Sequence, residues 1–159
     1  MKKTNVKNLT TGAIIASLYV VLTFIANALG LASGAIQIRI SEALTILPIF
    51  TPAAIPGLFI GCLISNIITG GVIWDIIFGS VATLLGALGT YSLRKYKWLA
   101  ILPPIISNAI IVPFVLIYAY GATEALPYRM VTVGIGEIVS AGVLGMLLYS
   151  SLSKYKDIF

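Results

Sequence analysis

Three carboxylates carry most of the chemistry open to this chain. Glu42, Asp75 and Glu137 stand in or beside long apolar runs, together with Arg39, Gln37, Asn66 and Asn108. An acid near mid-bilayer costs on the order of 3 kcal/mol on insertion scales, so it faces a partner, a cavity or water. The densest group lies in residues 37–48, where an amide, a guanidinium, a hydroxyl and a carboxylate fall within six positions. Arg39 and Glu42 are three apart, neighbours on a helical turn and able to pair. Histidine is absent, which removes imidazole acid–base chemistry. Cys62 is the single cysteine, so there is no disulfide framework and no metal-ligand pair. Neither a G-x-x-x-x-G-K-[ST] loop nor an H-E-x-x-H helix occurs. The expectation is a protein that is not an enzyme and holds no cofactor or metal. Active transport through it would draw energy from another subunit or an ion gradient.

The elements that position these groups are read from the apolar runs. The chain has 159 residues, 59% hydrophobic and 9% charged, where a soluble domain carries about a quarter charged residues. It reads as one all-α integral membrane domain over residues 1–159. A β-barrel would alternate apolar and polar residues instead. The first run, behind a basic start, is too long for a signal-peptide core. Spans are expected at residues 11–29, 41–50, 53–69, 74–93, 98–120 and 127–151. Asn27, Gly30 and Gly34 mark the exit of the first, and Gly70-Gly71 ends the third. Ser41 is the expected N-cap of the second. Pro103, Pro104 and Pro113 are expected to kink the fifth. The second helix is short and irregular, since ten to twelve α-helical residues fall well short of about 30 Å.

The charges call for an even number of spans, and six transmembrane helices are expected. Lys2, Lys3, Lys7, Arg94, Lys95, Lys97, Lys154 and Lys156 fall on one side if the spans are six. Positive residues stay inside, so both termini are expected in the cytoplasm. The basic excess thus signals topology rather than nucleic-acid binding. The same arrangement puts Arg39 and Arg129 outside, lets Glu42 and Asp75 open helices at the outer face, and leaves Glu124 in an outer loop. Glu137 lies roughly 13 Å inside the sixth helix, and Asp157 is cytoplasmic. The polar groups therefore gather in the outer half, which predicts a pocket opening outward. Trp74, Phe78 and Tyr128 are its candidate aromatic faces, although interfacial aromatics are also ordinary belt residues.

Small residues form a further pattern. Gly12 with Ala16, and Ala13 with Ser17, give the first span a face that lets another helix approach closely; Gly57 and Gly61 repeat the spacing on the third. Packing within the chain explains such a face equally well.

Residues 17–23, 36–48, 57–66 and 75–84 together resemble the QueT family, strongest from Gln37 to Thr83. Those proteins are substrate-binding (S) components of energy-coupling factor (ECF) transporters, assigned to queuosine precursors. The resemblance implies a six-helix S-component fold in a bacterial cell membrane, a partner T component and two ATPases. It implies that Gly12, Ala13, Ala16 and Ser17 meet the T component, with Ser17 departing from the family's A-x-x-x-A. It also implies a 7-deazaguanine ligand, which suits the residues. Adjacent N–H donors of the base fit one carboxylate, its carbonyl fits an amide or guanidinium, its ring fits an aromatic face, and a cationic aminomethyl group fits a second acid. Glu137, Glu42 and Asp75 are the acids, and Gln37, Asn66, Asn108 and Arg39 the donors. An ion-coupled carrier acting alone and a purely structural membrane subunit are the competing classes.

Overall fold

The computed structural model describes residues 3–32 and 36–154, with side chains from Val6 onward. The expectations for Lys2, Gly34, Lys156 and Asp157 lie outside the described residues. All regular elements among the described residues are helical: α1 (Lys3–Ala28), a 3-10 segment (Ile40–Ile49), α2 (Ala54–Ile68), α3 (Ile73–Ser92), α4 (Leu102–Tyr118), α5 (Leu126–Glu137), a π-helical segment (Ile138–Leu144) and α6 (Gly145–Leu152). The last three form one continuous rod. Val6–Ala28, Ile73–Ser92 and Leu126–Leu152 are long and apolar enough to cross a membrane, whereas Ile40–Ile49, Ala54–Ile68 and Leu102–Tyr118 are shorter apolar helices. The fifth expected span begins four residues late. Pro103 and Pro104 sit in the first turn of α4, where a missing N–H is harmless, and only Pro113 lies inside it.

Neighbours in sequence pack as neighbours in space, α1 on α2, α2 on α3, α3 on α4 and α4 on α5. The 3-10 segment runs through the centre and touches α1, α2, α3, the π segment and α6. Ser41 to Pro48 are all buried. Runs of 3-10 helix beyond three or four residues are uncommon; at about 2.0 Å per residue, ten residues reach roughly 20 Å, against about 15 Å for an α-helix. The tighter helix thus stretches a short element further through the bundle. Ser41 does not cap it: the boundary residue is Arg39, without a side-chain cap bond.

Two close approaches fix the site. Gly57 and Gly61 of α2 meet Gly12 and Ala16 of α1; a Cβ on Gly57 would stand 2.6 Å from Gly12 O, and one on Gly61 3.0 Å from Ala16 Cα. Both halves of that small-residue face are therefore used inside the chain, while Ala13 and Ser17 remain exposed. Elsewhere the strand of chain leading into the 3-10 segment crosses α5 where Gly136 has no side chain, with Gln37 O against that glycine. The Arg39 N–H then donates to Ser140 Oγ at 3.0 Å, on the π segment. Single-turn π bulges often occur at functional sites; this one begins immediately after Glu137.

Candidate ligand cavity

A cavity of about 830 Å³ opens at the end of the bundle where α1, α2 and α4 finish and α3 and α5 begin. Residues spaced along one face of α1, Tyr19, Thr23, Ala26 and Asn27, form one wall. Gln37, Arg39 and Ser41 enter from the 3-10 side, Asn66 and Asp75 from the α2–α3 turn, and Tyr120 and Arg129 from the far side.

Asp75 is held in place. Tyr120 Oη donates to its Oδ2 at 3.0 Å and itself accepts from the Val72 N–H at 3.3 Å. Asn66 Nδ2 donates to the Asp75 carbonyl at 3.2 Å, tying the end of α2 to the start of α3. Partial burial, and then the Asp75 charge, push the Tyr120 phenol above its ordinary value, so it stays a donor. Across the cavity, Arg129 pairs with Glu124 at 2.7 Å. That hydrogen bond holds the exposed Glu124 carboxyl below the usual range.

Beneath Tyr19, Arg39 and Ser41 lies a second polar layer. Glu42 is fully buried; Tyr19 Oη donates to its Oε1, and Asn108 Nδ2 makes a long contact of 3.5 Å with Oε2. The Thr45 hydroxyl donates to the Glu42 carbonyl at 2.6 Å. Glu137 is 5% exposed, and its Oε2 is buried without a hydrogen-bond partner. Arg39 is close enough to Asp75, Glu137 and Glu42 to interact electrostatically with each. The expected Arg39–Glu42 pair on one turn is not the local solution. Among the described residues the ion pair is Arg129–Glu124, and Glu42 is satisfied by Tyr19 and Asn108 instead.

The structure thus brings Gln37, Arg39, Asn66 and Asp75 to the cavity wall. Glu42, Asn108 and Glu137 are buried, and none of them lines the cavity. It does not bring the expected aromatics there. Trp74 and Phe78 stack on each other at 6.0 Å and line an apolar groove between α3 and α4, and Tyr128 is half exposed outside the cavity. Adjacent helical residues point about 100° apart, so once Asp75 faces inward Trp74 faces out, and Tyr128 stands in the same relation to Arg129. The aromatic rings at the cavity are Tyr19, Phe24 and Tyr120. The i, i+4, i+8 spacing of Tyr19, Thr23 and Asn27 was the available signal for the α1 wall.

An apolar helical bundle with a polar, carboxylate-bearing cavity at one end fits a membrane protein that takes up a small polar ligand. The chain belongs to the QueT transporter family, whose profile matches residues 9–154; it is a transporter-family protein and not an enzyme. It is also similar to the protein named queuosine precursor transporter QueT from Lactococcus lactis subsp. cremoris (strain MG1363), 36% identical over 99 residues. That match covers 61% of this chain and 57% of the relative, so it spans a little over half the relative's length. No solved structure matches the chain.

Proposed function

We propose that this protein is the substrate-binding S component of an ECF-type transporter. It takes a 7-deazaguanine queuosine precursor, queuine or its aminomethyl relative, from outside the cell for uptake driven by two partner ATPases through a T component. In this reading the chain is a single multi-pass domain of six spans in the bacterial plasma membrane, with both termini cytoplasmic. It carries no cofactor itself; ATP belongs to the partners.

The observation that supports the reading best is the composition of the cavity. Asp75 is a fixed carboxylate suited to the paired N–H donors of the base. Arg39 and Gln37 suit its carbonyl, and Tyr19, Phe24 and Tyr120 offer ring faces. Glu42 and Glu137 lie buried beneath and offer carboxyl oxygens to an aminomethyl group. On α1, Ala13 and Ser17 are the part of the small-residue face left open to a T component.

The test is to purify the protein, denature it and identify the released small molecule by mass spectrometry. A 7-deazaguanine supports the proposal. Another heterocycle moves the protein to a different S-component specificity, and no bound molecule together with uptake in vesicles lacking ATPases favours a stand-alone carrier.

A further inference from the structure

The opposite end of the bundle holds a second built cavity, of about 560 Å³, lined by Ile49, Phe50, Arg94, Lys95, Lys97 and Tyr149. Three cations within four residues converge on it. The four acids among the described residues, Glu42, Asp75, Glu124 and Glu137, belong to the ligand end and the bundle interior, so none of them neutralises this cluster. A topology signal needs only charge in a loop. Here the loop is shaped as well. The Thr90 hydroxyl, buried, donates to the Ala100 carbonyl at 2.8 Å and closes the turn. Inside it, the N–H groups of Tyr96, Leu99 and Ala100 donate to Leu93 O, Tyr96 O and Tyr96 O at 2.8–2.9 Å. Arg94 Nη1 donates to Tyr91 O at 3.0 Å, and its guanidinium lies over the Tyr91 ring. Lys97 Nζ lies 5.7 Å from the Tyr149 ring centre and 5.8 Å from that of Trp98. Tyr149 in turn packs on Phe50 at 5.3 Å.

The depth of this cavity identifies its occupant. Tyr96 and Trp98 are about two-thirds exposed beside it, and exposed tyrosine and tryptophan at the end of an apolar bundle mark the headgroup level of a bilayer. Ile49 and Phe50, which also line it, bring apolar side chains beside the cations. Three cations beside apolar side chains at headgroup depth match a phosphate joined to a glycerol backbone and acyl chains. We infer that the Arg94–Lys95–Lys97 cavity is a binding site for one anionic phospholipid, its phosphate among the three cations and its glycerol end on Ile49 and Phe50. The site is independent of the transport reading. It matters to the fold because the 3-10 segment spans from Glu42 near the ligand cavity to Ile49 beside the cations.

The experiment compares phosphatidylglycerol with phosphatidylcholine of the same acyl chains, added to the purified full chain in detergent. Retained lipid is counted by native mass spectrometry and thermal stability is followed in parallel. The wild type retains one phosphatidylglycerol in preference to phosphatidylcholine by roughly tenfold or more, and high salt abolishes the preference. The triple variant Arg94→Gln, Lys95→Gln, Lys97→Gln loses it, while the control Lys7→Gln, Lys154→Gln keeps it. Equal retention of the two lipids by the wild type overturns the inference and needs no variant. So does an undiminished preference in the triple variant, or equal competition by soluble glycerol phosphate. A wild type that is indifferent to lipid, with a triple variant that fails to assemble with ATPase-containing partners, would make the patch a protein-docking surface instead.

Discussion

The two ends of this bundle hold cavities of opposite character. At one end, carboxylates and amides are ordered by hydrogen bonds: Tyr120 and Asn66 on Asp75, Tyr19 and Asn108 on Glu42. At the other, exposed cations ride on aromatic rings around a stapled turn. The first end has its polar groups mostly fixed to one another, with Glu137 Oε2 and Arg129 Nε left without partners. The second has no described acid among its lining residues. The difference shows where each end gets its order. Ligand-end geometry depends on buried bonds of the polar groups themselves, whose loss is expensive, whereas the basic end rests on backbone turns and the Thr90 staple rather than on its exposed cations.

That contrast can be broken by substitution. Glu42→Ala removes the acceptor shared by Tyr19 and Asn108 and leaves both donors buried, a cost of about 3 kcal/mol. Lys95→Ala, exposed at the other end, is expected to stay within about 0.5 kcal/mol of the wild type. Unfolding of both variants in the same detergent checks the difference; equal stability would show that the two ends are not built differently. A milder change sharpens the picture at the cavity wall. Tyr120→Phe keeps the ring but loses the bond to Asp75, and ligand affinity is expected to fall by about fivefold, equivalent to about 1 kcal/mol. Isothermal titration reads this directly.

Part of the candidate cavity was legible because polar residues are rare in this sequence. Arg39, Gln37, Asn66 and Asp75 stand out against oil, and the structure places all four at one cavity. The basic residues also signalled which end they would share: Arg94, Lys95 and Lys97 do meet at the end opposite that cavity. Faces were harder to read. An aromatic near a polar residue carries no sign of which way it points, so Trp74, Phe78 and Tyr128 were chosen by proximity while Tyr19 and Tyr120 supply the rings. Nothing in residues 40–49 announces a 3-10 helix, because that geometry comes from burial on all sides and from the length the segment must reach. The small face of α1 was ambiguous for a similar reason: spacing shows that a helix approaches, not whose helix it is.

The smallest expected effect concerns acid. Glu124 has its carboxyl lowered by the Arg129 hydrogen bond, so the folded state binds that proton less readily than the unfolded chain. The pair's contribution is present above the ordinary carboxylate value of 4.5 and fades as pH falls below it. Thermal unfolding of wild type and Glu124→Gln across roughly pH 3 to 7 should show a small gap at neutral pH that closes in acid. A gap that widens in acid would contradict the assignment.

The central claim is that carboxylates at the ligand end recognise the base and its substituent. The direct measurement is the affinity of the purified protein for 7-aminomethyl-7-deazaguanine, compared with Asp75→Asn and Glu137→Gln. Each variant replaces a carboxyl oxygen by an amide nitrogen with almost no change in shape. Loss of roughly tenfold or more in affinity is expected for Asp75→Asn, the value of a hydrogen bond to a charged group, with a loss also for Glu137→Gln. Unchanged affinity in both would contradict the account.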